Sequence, residues 1–81
     1  MTAYKEAAIR ILVACSDGTE HTTKEIRATT GIQKSAIILN KNYYGWFKNI
    51  SRGSYAITPT GELALKEYDS FIKLISGAST K

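Results

Sequence analysis

The 81-residue sequence concentrates its positive charge in its middle third. Between Lys24 and Ser54 there are six lysine and arginine side chains and one carboxylate, Glu25, a net charge of +5, whereas the rest of the chain carries −1. Positive charge gathered on one structural unit is typical of a protein that contacts the phosphate backbone of nucleic acid. The alternative is that these are scattered, solvated side chains with no ligand. The charge distribution therefore makes an acidic partner the first functional hypothesis.

Side chains that could perform catalysis or bind a metal are dispersed along the chain. His21 is the only histidine, and no cysteine or carboxylate cluster accompanies it at zinc-ligand spacing. No Ser-His-Asp or Cys-His arrangement and no glycine-rich phosphate loop is present. The single Cys15 lies in the apolar stretch IRILVAC, which indicates a buried thiol in a cytoplasmic protein. We therefore expect no metal, no cofactor and no enzymatic activity.

Helix start and stop signals divide the first half of the chain. TAYKEAAIRILVACSDG carries apolar residues at helical spacing before a polar stop, which predicts a first helix. Thr22 and Glu25 have the spacing of a capping box, in which the Thr22 hydroxyl accepts from the Glu25 amide and the Glu25 carboxylate reaches back to the Thr22 amide. A second helix is expected over residues 23–29, and Gly31 supplies the left-handed residue that ends it.

The second half of the chain predicts a helix, a hairpin and a last helix. QKSAIILNKNYY favours a third helix. Its packed face should contain Ile32, Ala36, Leu39 and Tyr43. WFKNI and SYAIT are typical of the two arms of a β-hairpin around the polar tip SRG. Thr58 as the N-cap and Pro59 at the first helical position begin a helix that should continue to about Ser76.

A helix-turn-helix followed by a two-stranded wing resembles the winged-helix family, and the resemblance covers nearly the whole chain. TTKEIRATTGIQKSAIILN is similar to the helix-turn-helix, and ISRGSYAITPTGELAL is similar to the winged-helix pattern of strand, Thr-Pro-x-Gly and following helix. The expected class is α+β and mainly helical, with a three-helix core, a two-stranded β-wing and a C-terminal helix. Residues 1–76 would form a single domain and residues 77–81 a flexible tail.

A narrower resemblance rests on the hairpin region. YGWF and RGSYAITPTGELAL are similar to the C-terminal segment of a bacterial family predicted to carry a PD-(D/E)XK phosphodiesterase-like domain. The 81 residues contain no PD-(D/E)XK pattern, so that family's hydrolytic activity is not carried over. This resemblance implies a role as the specificity module of a larger nuclease-like assembly.

The winged-helix resemblance implies a set of DNA contacts. The second helix of the helix-turn-helix would lie in the major groove, and the preceding helix would cross the backbone. Gln33, Lys34 and Ser35 would lie at the reading end, with Lys41 farther along the same helix. Gln33 could pair with adenine, and Lys34 could reach guanine or a phosphate.

Two further groups of contacts follow from the same resemblance. Thr22, Thr23 and Lys24 would hold a phosphate at the N-terminus of the preceding helix, where backbone N–H groups and the helix dipole favour an anion. Arg52 and Ser54 would place the hairpin tip in the minor groove or on the flanking backbone. Thr22 would cap its helix whether or not a phosphate binds.

Plainer interpretations of the candidate contacts remain open. Gln33 and Ser35 could be solvated residues at a helix start, and Lys34 and Lys41 could only increase solubility. Arg52 could be a turn residue. In the hairpin, one residue of the pair at positions 46 and 47 should face the core, and positions 50, 55 and 57 should tie the hairpin to the helices.

The sequence as a whole predicts a double-stranded DNA-binding winged-helix module, of the kind found in small transcriptional regulators, without a membrane span. The alternative is a protein-interaction or dimerisation module, because a fold does not fix a function. The last helix has more apolar positions than one packed face requires, and Phe71, Leu74 and Ile75 are left for a second subunit. A homodimer through that helix would place two recognition helices about one DNA turn apart, so both hypotheses can hold.

Overall fold

The computed structural model describes residues 3–75, which form five helices and a three-stranded antiparallel sheet. The elements in chain order are α1 (Ala3–Ala14), β1 (His21–Thr22), α2 (Thr23–Thr30), α3 (Ser35–Lys41), β2 (Phe47–Ser51), β3 (Ser54–Ile57), α4 (Pro59–Glu67) and α5 (Asp69–Ile75). The expected α+β, mainly helical class is confirmed. The predicted tail at residues 77–81 lies outside the described residues. No helix within residues 3–75 is long and apolar enough to cross a membrane.

The first two helices form where the sequence signals predict them. α1 buries Ala8, Ile9, Ile11 and Leu12 along one side. α2 begins after Thr22, whose Oγ1 accepts a hydrogen bond of 3.0 Å from the Glu25 N–H. It ends at Gly31, whose φ of 73° is readily adopted only without a Cβ, and whose N–H donates to the Arg27 carbonyl at 2.8 Å. The Glu25 carboxylate was predicted to reach back to the Thr22 amide. It contacts His21 Nδ1 at 3.2 Å instead.

The packed face of α3 is rotated from the predicted one. Ser35, Ile38 and Leu39 are buried, whereas Ala36 and Tyr43, which were expected in the core, are exposed. One residue along a helix turns the side chain by about 100°. A small error in helical phase therefore moves a residue from the core to the surface.

α3 also ends earlier than predicted, at Lys41, because of Asn42. This residue adopts the left-handed conformation with φ 47°, which asparagine tolerates better than most residues. Its side-chain amide binds the backbone of Phe47 twice, donating from Nδ2 to the carbonyl at 2.6 Å and accepting at Oδ1 from the N–H at 3.1 Å. The chain therefore leaves the helix and starts the hairpin.

The predicted hairpin forms, and a third strand extends it. β2 and β3 are antiparallel with Phe47 opposite Ile57, and β1 pairs with β3 with His21 opposite Tyr55. The strand order is β1-β3-β2. β1 was not predicted, because a two-residue strand has no readable alternation and its partner lies far along the chain. His21 is thus a strand residue with a largely buried side chain, and not part of a polar connector as expected.

The core lies between the first four helices and the base of the hairpin. Its buried apolar residues are Ala8, Ile9, Ile11, Leu12, Cys15, Ile26, Ile38, Leu39, Trp46, Phe47, Ile57 and Ala64. Trp46 and Phe47 are both buried, so the expectation that only one faces the core is wrong. Trp46 precedes β2, so the alternation of side chains between the two faces of a strand does not apply to it. Ile50 is exposed and does not tie the hairpin to the helices, whereas Tyr55 is half-buried against the core.

The predicted start of the last helix is confirmed. Thr58 Oγ1 accepts a hydrogen bond of 3.1 Å from the Gly61 N–H, and Pro59 occupies the first turn. Gly61 allows α4 to approach the hairpin, because a Cβ at this position would lie 2.6 Å from the Trp46 carbonyl oxygen and 2.7 Å from Ile57 Cγ1. This glycine therefore sets the distance between α4 and the base of the hairpin.

The predicted single C-terminal helix is two helices. The break is at Tyr68, with φ −101° and ψ 20°, and α5 begins at Asp69. The break allows α5 to contact α1, and Phe71 and Ile72 are half-buried against the core. Helical periodicity alone could not predict it, because the apolar pattern continues across Tyr68.

Candidate nucleic-acid interface

The turn between α2 and α3 places two predicted contact residues at the surface. Gln33 and Lys34 are exposed and directly precede the first residue of α3. Lys34 is the N-cap residue, but its side chain makes no capping hydrogen bond. Both side chains therefore extend from the start of α3 without a structural role in the cap.

The outward side of α3 continues from these two residues along the helix. Ile37 and Lys41 are four residues apart on α3 and therefore share one face, and Gln33 lies in the turn just before the helix. With Lys34 they line a cavity of about 620 Å³. Its remaining lining residues are Ala3, Tyr4, Ala7, Ile32 and Ile38. The structure thus brings Gln33, Lys34 and Lys41 together on one surface, which we call the α3 face.

Two further exposed residues of α3 were missed by sequence reasoning. Ile37 is 55% exposed at the centre of the α3 face. Asn40 is also exposed on α3, and asparagine is a side chain that pairs with adenine in the major groove. Spacings of four and seven residues from Gln33 were a signal that could have found both. The apolar run AIIL was instead interpreted as part of the packed face of α3.

Ser35 does not belong to this surface. Its side chain is fully buried, and its Oγ donates a hydrogen bond of 2.7 Å to the Ile32 carbonyl oxygen. A serine hydroxyl has one proton to donate, and here a backbone carbonyl accepts it. The interpretation of Ser35 as a base-contacting residue is therefore not compatible with its position.

The hairpin tip presents Arg52 to solvent. Arg52 and Gly53 form the turn between β2 and β3, with Gly53 at φ 76°. Asn49 Nδ2 donates to the carbonyl oxygens of Ser51 and Ser54 at 2.8 and 3.0 Å, which closes the tip from inside. Ser54 itself is buried, so of the two residues predicted at the tip only Arg52 can contact a ligand through its side chain.

The tip is also tied to the region that precedes α2. The Thr23 N–H donates to the Gly53 carbonyl at 2.9 Å, and the Ser51 hydroxyl donates to Glu20 Oε2 at 3.0 Å. The Thr23 amide was expected to bind a phosphate, but the hairpin backbone already accepts its hydrogen. Arg52 is consequently held on a tip whose backbone is fixed by the rest of the fold.

The N-terminus of α2 is more acidic than expected for a phosphate site. Thr22 and Lys24 are exposed there, but Asp17, Glu20 and Glu25 belong to the same neighbourhood through their contacts with His21 and the hairpin. Carboxylates repel a phosphate and so oppose the attraction of the helix dipole. The candidate contacts at this end are thus less favourably placed than those of the α3 face.

His21 is the centre of a small charged cluster. Its Nε2 lies 2.9 Å from Asp17 Oδ1 and its Nδ1 lies 3.2 Å from Glu25 Oε1. The hydrogen bond with Asp17 is the main cause that raises the pKa of His21 above its ordinary value. The backbone N–H of Thr19 is the main cause that lowers the pKa of Asp17 to about 2. The cluster joins the loop after α1, β1 and the first turn of α2.

The cations of the middle third have no carboxylate partner. In residues 3–75, the ion pairs join Arg10 to Glu6, Lys73 to Asp69, and His21 to its two carboxylates. The cations of the segment from Lys24 to Ser54, which we call the basic segment, are Lys24, Arg27, Lys34, Lys41, Lys48 and Arg52. None of these six pairs with a carboxylate anywhere in the described part of the chain.

Potential metal ligands do not converge within residues 3–75. Metal-assisted phosphodiester hydrolysis uses convergent ligand side chains. Among residues 3–75, no group of three or more His, Cys, Asp or Glu side chains is arranged to hold a metal ion. Cys15 is buried, and burial raises the pKa of its thiol to about 11, which leaves little thiolate near neutral pH. We therefore assign no catalytic step to these side chains.

The proposed dimer surface on the last helix is only partly exposed. Phe71 is half-buried against the core, whereas Leu74 is 77% exposed. The side chain of Ile75 lies outside the described residues. Dimerisation through α5 stays a prediction, which sedimentation at micromolar concentration can test.

Fold and surface together define a small, mainly helical α+β domain with an unpaired basic segment. The chain belongs to the DUF2161 family, described as "Putative PD-(D/E)XK phosphodiesterase", whose profile matches residues 1–64. The narrower of the two sequence resemblances is thereby confirmed. Neither a search of curated proteins nor a search of solved structures found a match to the chain.

The family relation corrects the expectation that the protein has no enzymatic activity. A phosphodiesterase family points to an enzymatic function. The expectation rested on the absence of a catalytic or metal-binding arrangement and of a PD-(D/E)XK pattern, whereas the family match extends over 64 of the 81 positions and does not depend on one motif. The family relation likewise gives no support to a transcriptional regulator.

Proposed function

We propose that the chain is a winged-helix module that binds double-stranded DNA and holds it for the phosphodiester chemistry of its family. The observation that carries this proposal is the set of six basic-segment cations that have no carboxylate partner within residues 3–75. Duplex DNA supplies a matching array of anions, about one per 1.7 Å of helix axis. Unpaired cations gain more from such a ligand than paired ones, because no internal ion pair has to be broken.

The order of the elements supports the winged-helix interpretation. α2 and α3 are joined by a tight turn at Gly31, and a hairpin follows whose β3 also pairs with β1. In helix-turn-helix proteins the second helix of the pair enters the major groove and the first crosses the backbone. In this arrangement Gln33 and Lys34 approach base edges, and Lys41 approaches a phosphate farther along the groove.

The hairpin tip provides a second contact. Arg52 is exposed on a turn that is fixed by the hydrogen bonds of Asn49, Ser51 and Thr23. A fixed backbone lowers the entropy lost when the guanidinium binds. Arginine suits both the flanking phosphates and a narrow minor groove, where the negative potential is enhanced.

The family description supports the choice of ligand. A phosphodiesterase acts on phosphodiester linkages, and DNA is a polymer of such linkages. A module that binds the duplex backbone would raise the local concentration of substrate and set its orientation. Duplex binding and enzymatic function are thus parts of one proposal.

The test is a titration of labelled duplex DNA at several salt concentrations. About five phosphate contacts should give a slope of log K against log salt of about −4 to −5. The same strand without its complement is the control, and it should bind more weakly because it lacks the grooves. Absence of duplex binding at low salt, or binding that is indifferent to salt, would contradict the proposal.

A further inference from the structure

Ile37 is an apolar side chain where a solvent-facing helix would be expected to carry a polar one. It is 55% exposed, and the buried side of α3 is made by Ser35, Ile38 and Leu39 instead. Helix propensity does not explain its presence either, because a β-branched residue is a poorer helix former than alanine or lysine. Neither the core nor the helix therefore requires an isoleucine at this position.

Ile37 shares its cavity with the polar residues of the α3 face and with apolar residues, which are Ala3, Tyr4, Ala7, Ile32 and Ile38. Lys41 follows Ile37 by one helical turn, Gln33 lies in the turn before α3, and both line this cavity. Lys34 lies beside Gln33 at the start of the helix. A ligand that lies along this face meets hydrogen-bond donors at both ends and an apolar surface at the centre.

The major groove of DNA offers this combination of groups. Its base edges carry hydrogen-bond acceptors, and its one apolar group is the 5-methyl of thymine. An apolar side chain between donors is complementary to a thymine methyl that lies between acceptors. Cytosine, adenine and guanine present no such group in the groove.

We propose that Ile37 contacts the 5-methyl group of thymine and gives the α3 face a preference for thymine-containing duplex DNA. The proposal rests on the proposed function, since it needs α3 in the major groove. It adds a residue that discriminates between bases, whereas the lysines and Arg52 act mainly on the backbone.

The test compares two duplexes that differ only in the methyl group. One is an alternating A and T duplex of about 20 base pairs, about two helical turns, so that a thymine is always within reach of α3. In the other, deoxyuridine replaces every thymidine, which removes the methyl and leaves the pairing unchanged. The protein should bind the thymine duplex about fourfold more tightly for each methyl contacted, as expected from the burial of one methyl-sized group.

Two variants test whether the Ile37 side chain causes the preference for the thymine duplex. Ile37→Ala should bind the two duplexes equally, and its thermal unfolding should match that of the unchanged protein because the residue is largely exposed. Leu63→Ala is the matched control, since Leu63 is an apolar residue on α4 that is 66% exposed, and it should retain the preference.

The outcomes separate this inference from the proposed function. If the unchanged protein binds both duplexes equally, or if Ile37→Ala keeps the preference, the inference is wrong while duplex binding stands. Equal weakening on both duplexes by Ile37→Ala would also overturn it, because the side chain would then be a general contact. Failure to bind either duplex would overturn the proposed function and the inference together.

Discussion

The helices at the two ends of the chain neutralise their own positive charge. On α1, Arg10 binds Glu6 at 3.0 Å, and on α5, Lys73 binds Asp69 at 3.2 Å. In both pairs the partners are four residues apart, so they are neighbours on one helix surface. Exposed pairs at this spacing stabilise a helix by about 0.3–0.5 kcal/mol. Charge in these flanking helices therefore serves the fold.

The basic segment differs from the flanking helices in this respect. Its only carboxylate, Glu25, contacts His21 and leaves Lys24 without a partner in residues 3–75. Exposed cations without partners repel one another and do not stabilise the fold. The comparison teaches that charge in the two regions has different consequences: substitutions in the flanking helices should change stability, and substitutions in the basic segment should change ligand binding.

The largest expected effect is on DNA affinity. Lys34→Ala combined with Arg52→Ala should weaken duplex binding by about 1–3 kcal/mol for each residue, because both the α3 face and the hairpin tip lose a contact. Thermal unfolding should be nearly unchanged, since exposed substitutions of this kind usually stay within about 0.5 kcal/mol. Fluorescence anisotropy of a labelled duplex measures the first quantity, and circular dichroism measures the second.

The control for this prediction has the same change in charge outside the basic segment. Lys66→Ala combined with Lys73→Ala removes two exposed cations from α4 and α5. Its DNA affinity should remain close to that of the unchanged protein. Equal losses from the two double variants would show that net charge alone governs binding, and the comparison between the regions would then fail.

The second effect is on stability and lies where α4 contacts the hairpin. Gly61→Ala should lower the free energy of unfolding by about 1–3 kcal/mol, because the new methyl group would be too close to the Trp46 carbonyl oxygen and to Ile57. Urea unfolding measures this loss. Thr60→Ala on the exposed side of α4 is the control and should be almost neutral.

The DNA affinity of the folded Gly61→Ala protein completes this experiment. It should be retained at temperatures well below the unfolding transition, because the nearest neighbours of Gly61 are Trp46, Ile57 and Leu12, which are not part of the α3 face or the hairpin tip. A variant that remains fully folded and loses affinity would show that the spacing between α4 and the hairpin also sets the binding surface.

Local signals in the sequence predicted the elements that local interactions form. Capping residues interact only with backbone groups within one helical turn. The helix boundaries predicted from such residues are confirmed, at Thr22, Gly31, Thr58 and Pro59. β1 was missed because its two residues are a strand only when β3 lies beside them. The break at Tyr68 was missed for a similar reason, since it depends on the contact between α5 and α1.

The site residues show the same difference between what local properties predict and what depends on distant contacts. Exposure of Lys34, Lys41 and Arg52 follows from their charge, because lysine and arginine are rarely buried. Ser35 and Ser54 were placed at the surface, but both are buried. A serine is small enough for either environment, and only the phase of α3 and the pairing of β3 decide between them.

The smallest expected effect is a pH dependence of stability that comes from the His21 cluster at the border of the two regions. The pKa of His21 is raised by Asp17 and Glu25, so its stabilisation is complete below its ordinary value of 6.5 and is lost as the pH rises through the folded pKa. The pKa of Asp17 is lowered from 3.8 to about 2, so its stabilisation is present above pH 3.8 and is lost as the pH falls through 2.

The raised pKa of His21 and the lowered pKa of Asp17 together predict that the protein is most stable between about pH 4 and pH 6.5. The urea midpoint of the unchanged protein should therefore fall between pH 6 and pH 8, and His21→Gln should be flat over that interval, because the chain has no other histidine. DNA affinity measured at fixed salt should follow a different course, since the charge contacts of His21 are with Asp17 and Glu25 and not with the α3 face or Arg52. An equal fall of the midpoint in His21→Gln would place the pH dependence outside the cluster. A fall of DNA affinity that disappears in His21→Gln would instead couple the cluster to the hairpin tip, through the contacts of Glu20 and Thr23 with it.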